Sequence, residues 1–65
     1  MKFNERIEQL KEVFKGVSAY TVSRMAFVYL MDYEADPFIK ETARGITITY
    51  HEAGENKKIE FEVTL

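Results

Sequence analysis

Residues 25–31, Met25-Ala26-Phe27-Val28-Tyr29-Leu30-Met31, carry no polar side chain, and the reading of this stretch decides the fold. Taken as a helix and extended to Ser18 and Glu34, it aligns Val22, Met25, Ala26, Tyr29 and Tyr33 in one stripe. Tyr20, Phe27 and Met31 form a second stripe beside it, and Val28 and Leu30 fill the gaps. Taken as a strand, it puts Phe27, Tyr29, Met31 and Tyr33 on one face and Ala26, Val28 and Leu30 on the other. Tyr, Phe and Val favour the strand. Length and the Met, Ala and Leu content favour the helix, and we read a helix over 18–34, with Ser18 as its cap. A helix that is apolar all round must be covered all round. An uncovered Tyr20/Phe27/Met31 face would be an association site.

Upstream, Ile7, Leu10, Phe14 and Val17 recur at helical spacing. Asn4 is a suitable N-cap, Glu5 and Glu8 suit the positive helix start, and Lys11 and Lys15 suit its end. With Gly16 as the stop, the spacing predicts a helix over 4–15. Downstream, Asp36-Pro37 has the form of a cap followed by a first-turn proline, which predicts a short third helix over 37–44 ending at Gly45. Beyond it, Ile46, Ile48 and Tyr50 alternate with Thr47 and Thr49, and Ile59, Phe61, Val63 and Leu65 alternate with Glu60, Glu62 and Thr64. With Gly54 and Asn56 between them, these runs predict a β-hairpin with one apolar face.

The expected fold is therefore one α+β domain over 1–65: two to three helices followed by a C-terminal antiparallel β-hairpin. A lone hairpin leaves two open edges, which a second copy would pair. Were 18–34 a strand, the sheet would have three strands within one chain.

Composition narrows the function classes. The chain has 65 residues, 46% of them apolar and 31% charged, which is a folded composition. A chain this short buries only about 60% of its unfolded surface, so its core is worth about 3–5 kcal/mol net. There is no cysteine and a single histidine, His51, so disulfides, thiolate metal sites and His-rich cages are excluded. Self-association or a partner protein is the expected source of further stability, and unusually good packing would also suffice. No apolar run is long enough to span a membrane, and Met1–Leu10 is charged where a signal peptide is apolar. A cytoplasmic location is the resulting expectation. Net charge is −2 and uneven. Residues 1–24 hold five Lys/Arg against three Glu, and residues 25–65 hold four Lys/Arg against eight Asp/Glu.

The sharpest short pattern is Gly16-Val17-Ser18-Ala19-Tyr20-Thr21-Val22-Ser23-Arg24. It resembles the turn and recognition helix of the LacI-type helix-turn-helix. The resemblance implies that Gly16 makes the turn and Ser18 caps the second helix. It further implies that Ser18, Ala19, Tyr20, Thr21 and Arg24 face duplex DNA while Val17, Val22 and Met25 lie inside. The preceding helix departs from the family pattern: Glu12 stands where a small residue is expected, and Lys11 and Lys15 where apolar ones are. The negative net charge also runs against a phosphate-binding footprint.

Asp32, Glu34 and Asp36 are an acidic cluster without calcium-loop spacing, read here as a solvated helix end. His51 beside Glu52 has the elements of an acid–base pair. No motif places a nucleophile there, and no glycine neighbours another to cradle phosphate. We therefore expect no catalytic residues, no cofactor and no metal. The function expected from the residues is a small non-enzymatic protein-binding regulator or inhibitor, forming a homodimer or covering another protein. Its anchors would be Tyr20, Phe27, Met31 and Val28, with Arg24, Asp32 and Glu34 around them. A dimeric helix-turn-helix DNA-binding regulator using residues 16–24 is the alternative.

Overall fold

The computed structural model describes residues 2–62. Its elements run α1 (Phe3–Val13), α2 (Ala19–Asp32), β1 (Phe38–Thr42), β2 (Gly45–Glu52) and β3 (Glu55–Glu62). The strands form one antiparallel sheet in the order β1-β2-β3. The molecule is an α+β domain with both helices on one side of that sheet. Val63 and Leu65, expected on the last strand, lie outside the described residues.

The apolar stretch 25–31 is helical, as read from its composition. Ser18 caps α2 by accepting a hydrogen bond from the Thr21 N–H at 3.3 Å. The other end closes in a Schellman motif. The Ala35 N–H donates to the Leu30 carbonyl (2.9 Å) and the Glu34 N–H to the Met31 carbonyl (3.0 Å). Glu34 takes the left-handed position with φ 56°. Ala35 then buries its methyl in the same core as Leu30.

The expected third helix is absent, and 38–42 is strand β1 instead. Asp36 has φ 52°, whereas a capping residue sits in the extended region, so the Asp-Pro pair starts no helix. An isolated two-turn helix is marginal in any case. The competing state supplies ladder bonds: Phe38 pairs with Thr49, Lys40 with Thr47, and Thr42 with Gly45. Thr42 closes the turn, its Oγ1 accepting from the Arg44 and Gly45 N–H groups at 3.3 and 3.2 Å. A third strand within one chain thus comes from a segment the sequence pattern assigned to helix.

The start of α1 also differs. The helix begins at Phe3, not after Asn4, and Lys2 at its N-cap position makes no side-chain capping bond. The cap comes from the sheet: Glu52 Oε2 accepts from the Phe3 N–H at 2.7 Å. A carboxylate there also suits the positive end of the helix dipole.

Register sorts the sheet faces. Ile46, Ile48 and Tyr50 of β2 and Ile59 and Phe61 of β3 are buried beneath the helices with Ile7, Val22, Ala26, Leu30 and Ala35. Cross-strand partners share a face, so Phe38, Lys40, Thr42, Thr47, Thr49, His51, Lys58 and Glu60 form the opposite, helix-free face. α2 packs on β2 and β3, and all of β1 is exposed. Lys11 seals part of the β3 edge. Its Nζ donates to the Glu60 carbonyl (2.6 Å) and lies 4.7 Å from the Phe61 ring centroid.

The β2–β3 hairpin turns through Ala53 (φ 54°) and Gly54 (φ 79°). This is a two-residue loop with both central φ values positive, a geometry that favours Asn-Gly. Asn56 is not in the turn and pairs with His51. Alanine and glutamate are strained in the left-handed region, at a cost of about 1 kcal/mol. Ala53→Asn and Glu34→Gly should each therefore stabilise the fold by about 0.5–1 kcal/mol, read as a higher urea midpoint with unchanged slope.

Candidate functional site

Among the seven side chains expected to bind a partner, the structure brings five to one surface. Tyr20, Arg24, Val28, Met31 and Asp32 are all exposed on the side of α2 turned away from the sheet. Their spacing explains this. Arg24, Val28 and Asp32 are four residues apart and fall in one line along the helix. Tyr20 extends that line by one turn before Arg24, Met31 flanks it on one side, and Thr21 and Met25 flank it on the other. Tyr20 is 49% exposed, Val28 58% and Met31 55%, so large apolar surface faces solvent on both sides of the Arg24 side chain.

Phe27 and Glu34 do not belong to that face as expected. Phe27 is partly buried and packs against the core. Glu34 lies beyond the helix, at the left-handed position of its C-terminal cap. The inner stripe is also rotated from the one read in the sequence. Val22, Ser23, Ala26 and Leu30 are buried, Met25 is half-buried and Tyr33 exposed. Buried Ser23 is satisfied locally, its Oγ donating to the Tyr20 carbonyl at 2.8 Å. Thr21, Arg24, Met25 and Val28 line an open hollow of about 460 Å³ on the outer face. Thr21 and Met25 were not among the expected partner-binding residues. Their spacings of seven and three residues before Val28 put them on its face, although the sequence pattern sets Met25 on the inner stripe.

The helix-turn-helix resemblance placed Ser18, Ala19, Tyr20, Thr21 and Arg24 outward and Val17, Val22 and Met25 inward. In the structure Ser18, Tyr20, Thr21 and Arg24 are exposed and Val22 is buried. Ala19 packs against the core, and Val17 is exposed.

His51 and Glu52 do not form an acid–base pair, because neighbouring strand residues point to opposite faces. His51 Nε2 lies 3.8 Å from Asp36 Oδ2 on the surface. Glu52 turns inward to cap α1, with Lys57 Nζ 3.5 Å from its Oε1. That oxygen is buried and makes no hydrogen bond among the described residues, so Lys57 balances its charge without bonding to it. Above it Phe3 packs edge-on to Tyr29 and Tyr50, with centroids 5.9 and 6.2 Å apart. Asp32, Glu34 and Asp36 are dispersed over the end of α2 and the following loop. Among the described residues no three His, Asp or Glu side chains are grouped to hold a metal ion, and no helix is long and apolar enough to cross a membrane.

No family model, curated protein or solved structure matches the chain.

Tyr50 has a displaced titration. Burial of its hydroxyl, and then the nearby Glu52 carboxylate, push its pKa above the ordinary 10.0. The hydroxyl has no hydrogen-bond partner among the described residues. A raised folded-state pKa contributes stability that is present below about pH 10 and lost as pH rises through the folded value. Tyr50→Phe removes both the unpaired hydroxyl and this loss. Its stability should match or exceed that of the parent at pH 8, and the gap in urea midpoint should widen at pH 11.

Substitutions on α2 should separate its two sides. Phe27→Ser removes a core-packed ring and should cost about 3 kcal/mol or more, enough to unfold much of a chain this small. Val28→Ser should change the stability of the single folded chain by less than about 0.5 kcal/mol, measured for both variants by urea denaturation at protein concentrations low enough to keep the chain monomeric.

Proposed function

We propose that this chain is a small, non-catalytic protein-binding module of the regulator or inhibitor kind, which engages its partner through the outward face of α2. The observation that carries this reading is the exposed apolar set Tyr20, Val28 and Met31 gathered around Arg24 on one rigid helix. Single exposed apolar residues are ordinary on protein surfaces. Here three of them, with Met25 beside them, share one side of one element. Methionine and tyrosine are side chains that interface cores favour, because they give area and adaptability together. Arg24 and Asp32 supply a polar rim. The described clefts are open, and the one His–Glu neighbour pair is split between the two faces of the sheet.

Duplex DNA is the second reading, favoured by the exposure of Tyr20, Thr21 and Arg24 on the first turns of α2. Arg24 is the sole basic residue of the helix, and Asp32 follows on the same line. Phosphate contact needs several cations, so this face suits a protein surface better.

Photo-crosslinking tests the reading. A photoreactive phenylalanine analogue replacing Val28 or Met31 should give protein adducts in a lysate of the source cells, and the same analogue at Thr49 on the helix-free sheet face should not. Adducts from Thr49 alone, or a duplex-DNA shift at low salt that Arg24→Ala abolishes, would overturn it.

A further inference from the structure

The line Arg24–Val28–Asp32 has a property beyond its exposure: it is self-complementary. A cation stands one helical turn before Val28, and an anion one turn after it. At a rise of about 1.5 Å per residue, each charge sits about 6 Å from Val28 along the axis. Turn a second α2 antiparallel about a two-fold axis at Val28, and the order of charges reverses. Arg24 of each copy then meets Asp32 of the other, and the two Val28 side chains meet at the centre. Met31 flanks the line on one side and Met25 on the other, and Tyr20 stands on the line one turn before Arg24. Neither Arg24 nor Asp32 has an ion-pair partner among the described residues, where the ion pairs are made by Lys11, His51, Lys57 and Lys58. A parallel arrangement would set Arg24 against Arg24 and Asp32 against Asp32.

We infer that the partner of the α2 face is a second copy of this chain, packed as an antiparallel α2–α2 pair with reciprocal Arg24–Asp32 contacts. This rests on the reading of α2 as the interaction face and names its occupant. A closed two-fold contact of this kind uses one patch twice and generates no further assembly. It also removes Val28 and Met31 from water, in a chain whose single core is small. The open β1 edge is the competing self-contact, and it involves neither charge.

Charge reversal distinguishes the two. Size exclusion with light scattering should give the 65-residue chain twice its 7.6 kDa mass. Arg24→Asp alone leaves only acids on the line, and Asp32→Arg alone leaves only bases. Each should weaken the dimer by about tenfold or more, since it replaces two attractive pairs with two repulsive ones. Both positions are exposed, so circular dichroism should be unchanged. Mixing the two single variants in equal amounts should restore the dimer as a heterodimer, and the double reversal Arg24→Asp with Asp32→Arg should restore the homodimer. Restoration on mixing is the result expected of this interface and not of any contact elsewhere. A monomer at every concentration, or a dimer indifferent to both reversals, overturns the self-pairing. If that monomer still crosslinks to another protein from Val28, the α2 face remains the interaction site with a different occupant. Absence of any crosslink from α2 removes the site itself.

Discussion

The central position of β2 is the constraint on which the rest of the structure depends. Ile46, Ile48 and Tyr50 bury this strand under the helices, so its backbone groups must be paired on both sides. β3 pairs with one side through a tight two-residue turn. The other side recruits 38–42 as β1. Just before β1, the Ala35 carbonyl accepts from the His51 N–H at 2.7 Å and continues the pairing toward the end of α2. The need to complete the ladder outweighs the helix signals of Asp36 and Pro37, which are worth about 1 kcal/mol. Strained positions follow from the same need. Glu34 and Asp36 both adopt positive φ, and together they bring the chain from the end of α2 to the edge of β2.

β2 also organises the helical layer. Glu52 at its end caps α1, so the first helix begins at Phe3, where the sheet supplies the carboxylate, and not where its own sequence offers Asn4. Tyr50 beside it meets Phe3 from below while Tyr29 meets it from α2. Helix α1, helix α2 and the sheet therefore share one contact point around Phe3. With the inner side of α2 committed to β2 and β3, its outer side has nothing among the described residues to cover it, because α1 lies beside α2 and not over it. The exposed Tyr20, Val28 and Met31 are the consequence of a two-layer fold built around a helix that is apolar on more than one side.

The sequence by itself determined a good deal: two helices at 4–15 and 18–34 to within a few residues, the Ser18 cap, and a hairpin with Ile46, Ile48, Tyr50, Ile59 and Phe61 on its inner face. These are local signals, carried by periodicity and capping chemistry within a few residues of where they act. Tyr20, Val28 and Met31 were legible as candidate surface residues, but Phe27 was grouped with them, and the pattern left open whether that face would be covered. Tertiary structure alone decided the rest. It set the rotation of α2, because two adjacent apolar stripes give no local reason to bury Leu30 and Ser23 and half-expose Met25. It placed Phe27 against the core, converted 37–44 from helix to edge strand, and capped α1 with a carboxylate forty-nine residues away. Each of these depends on a partner distant in the chain, and a sequence pattern registers which residues want burial or pairing, not which neighbour will supply it.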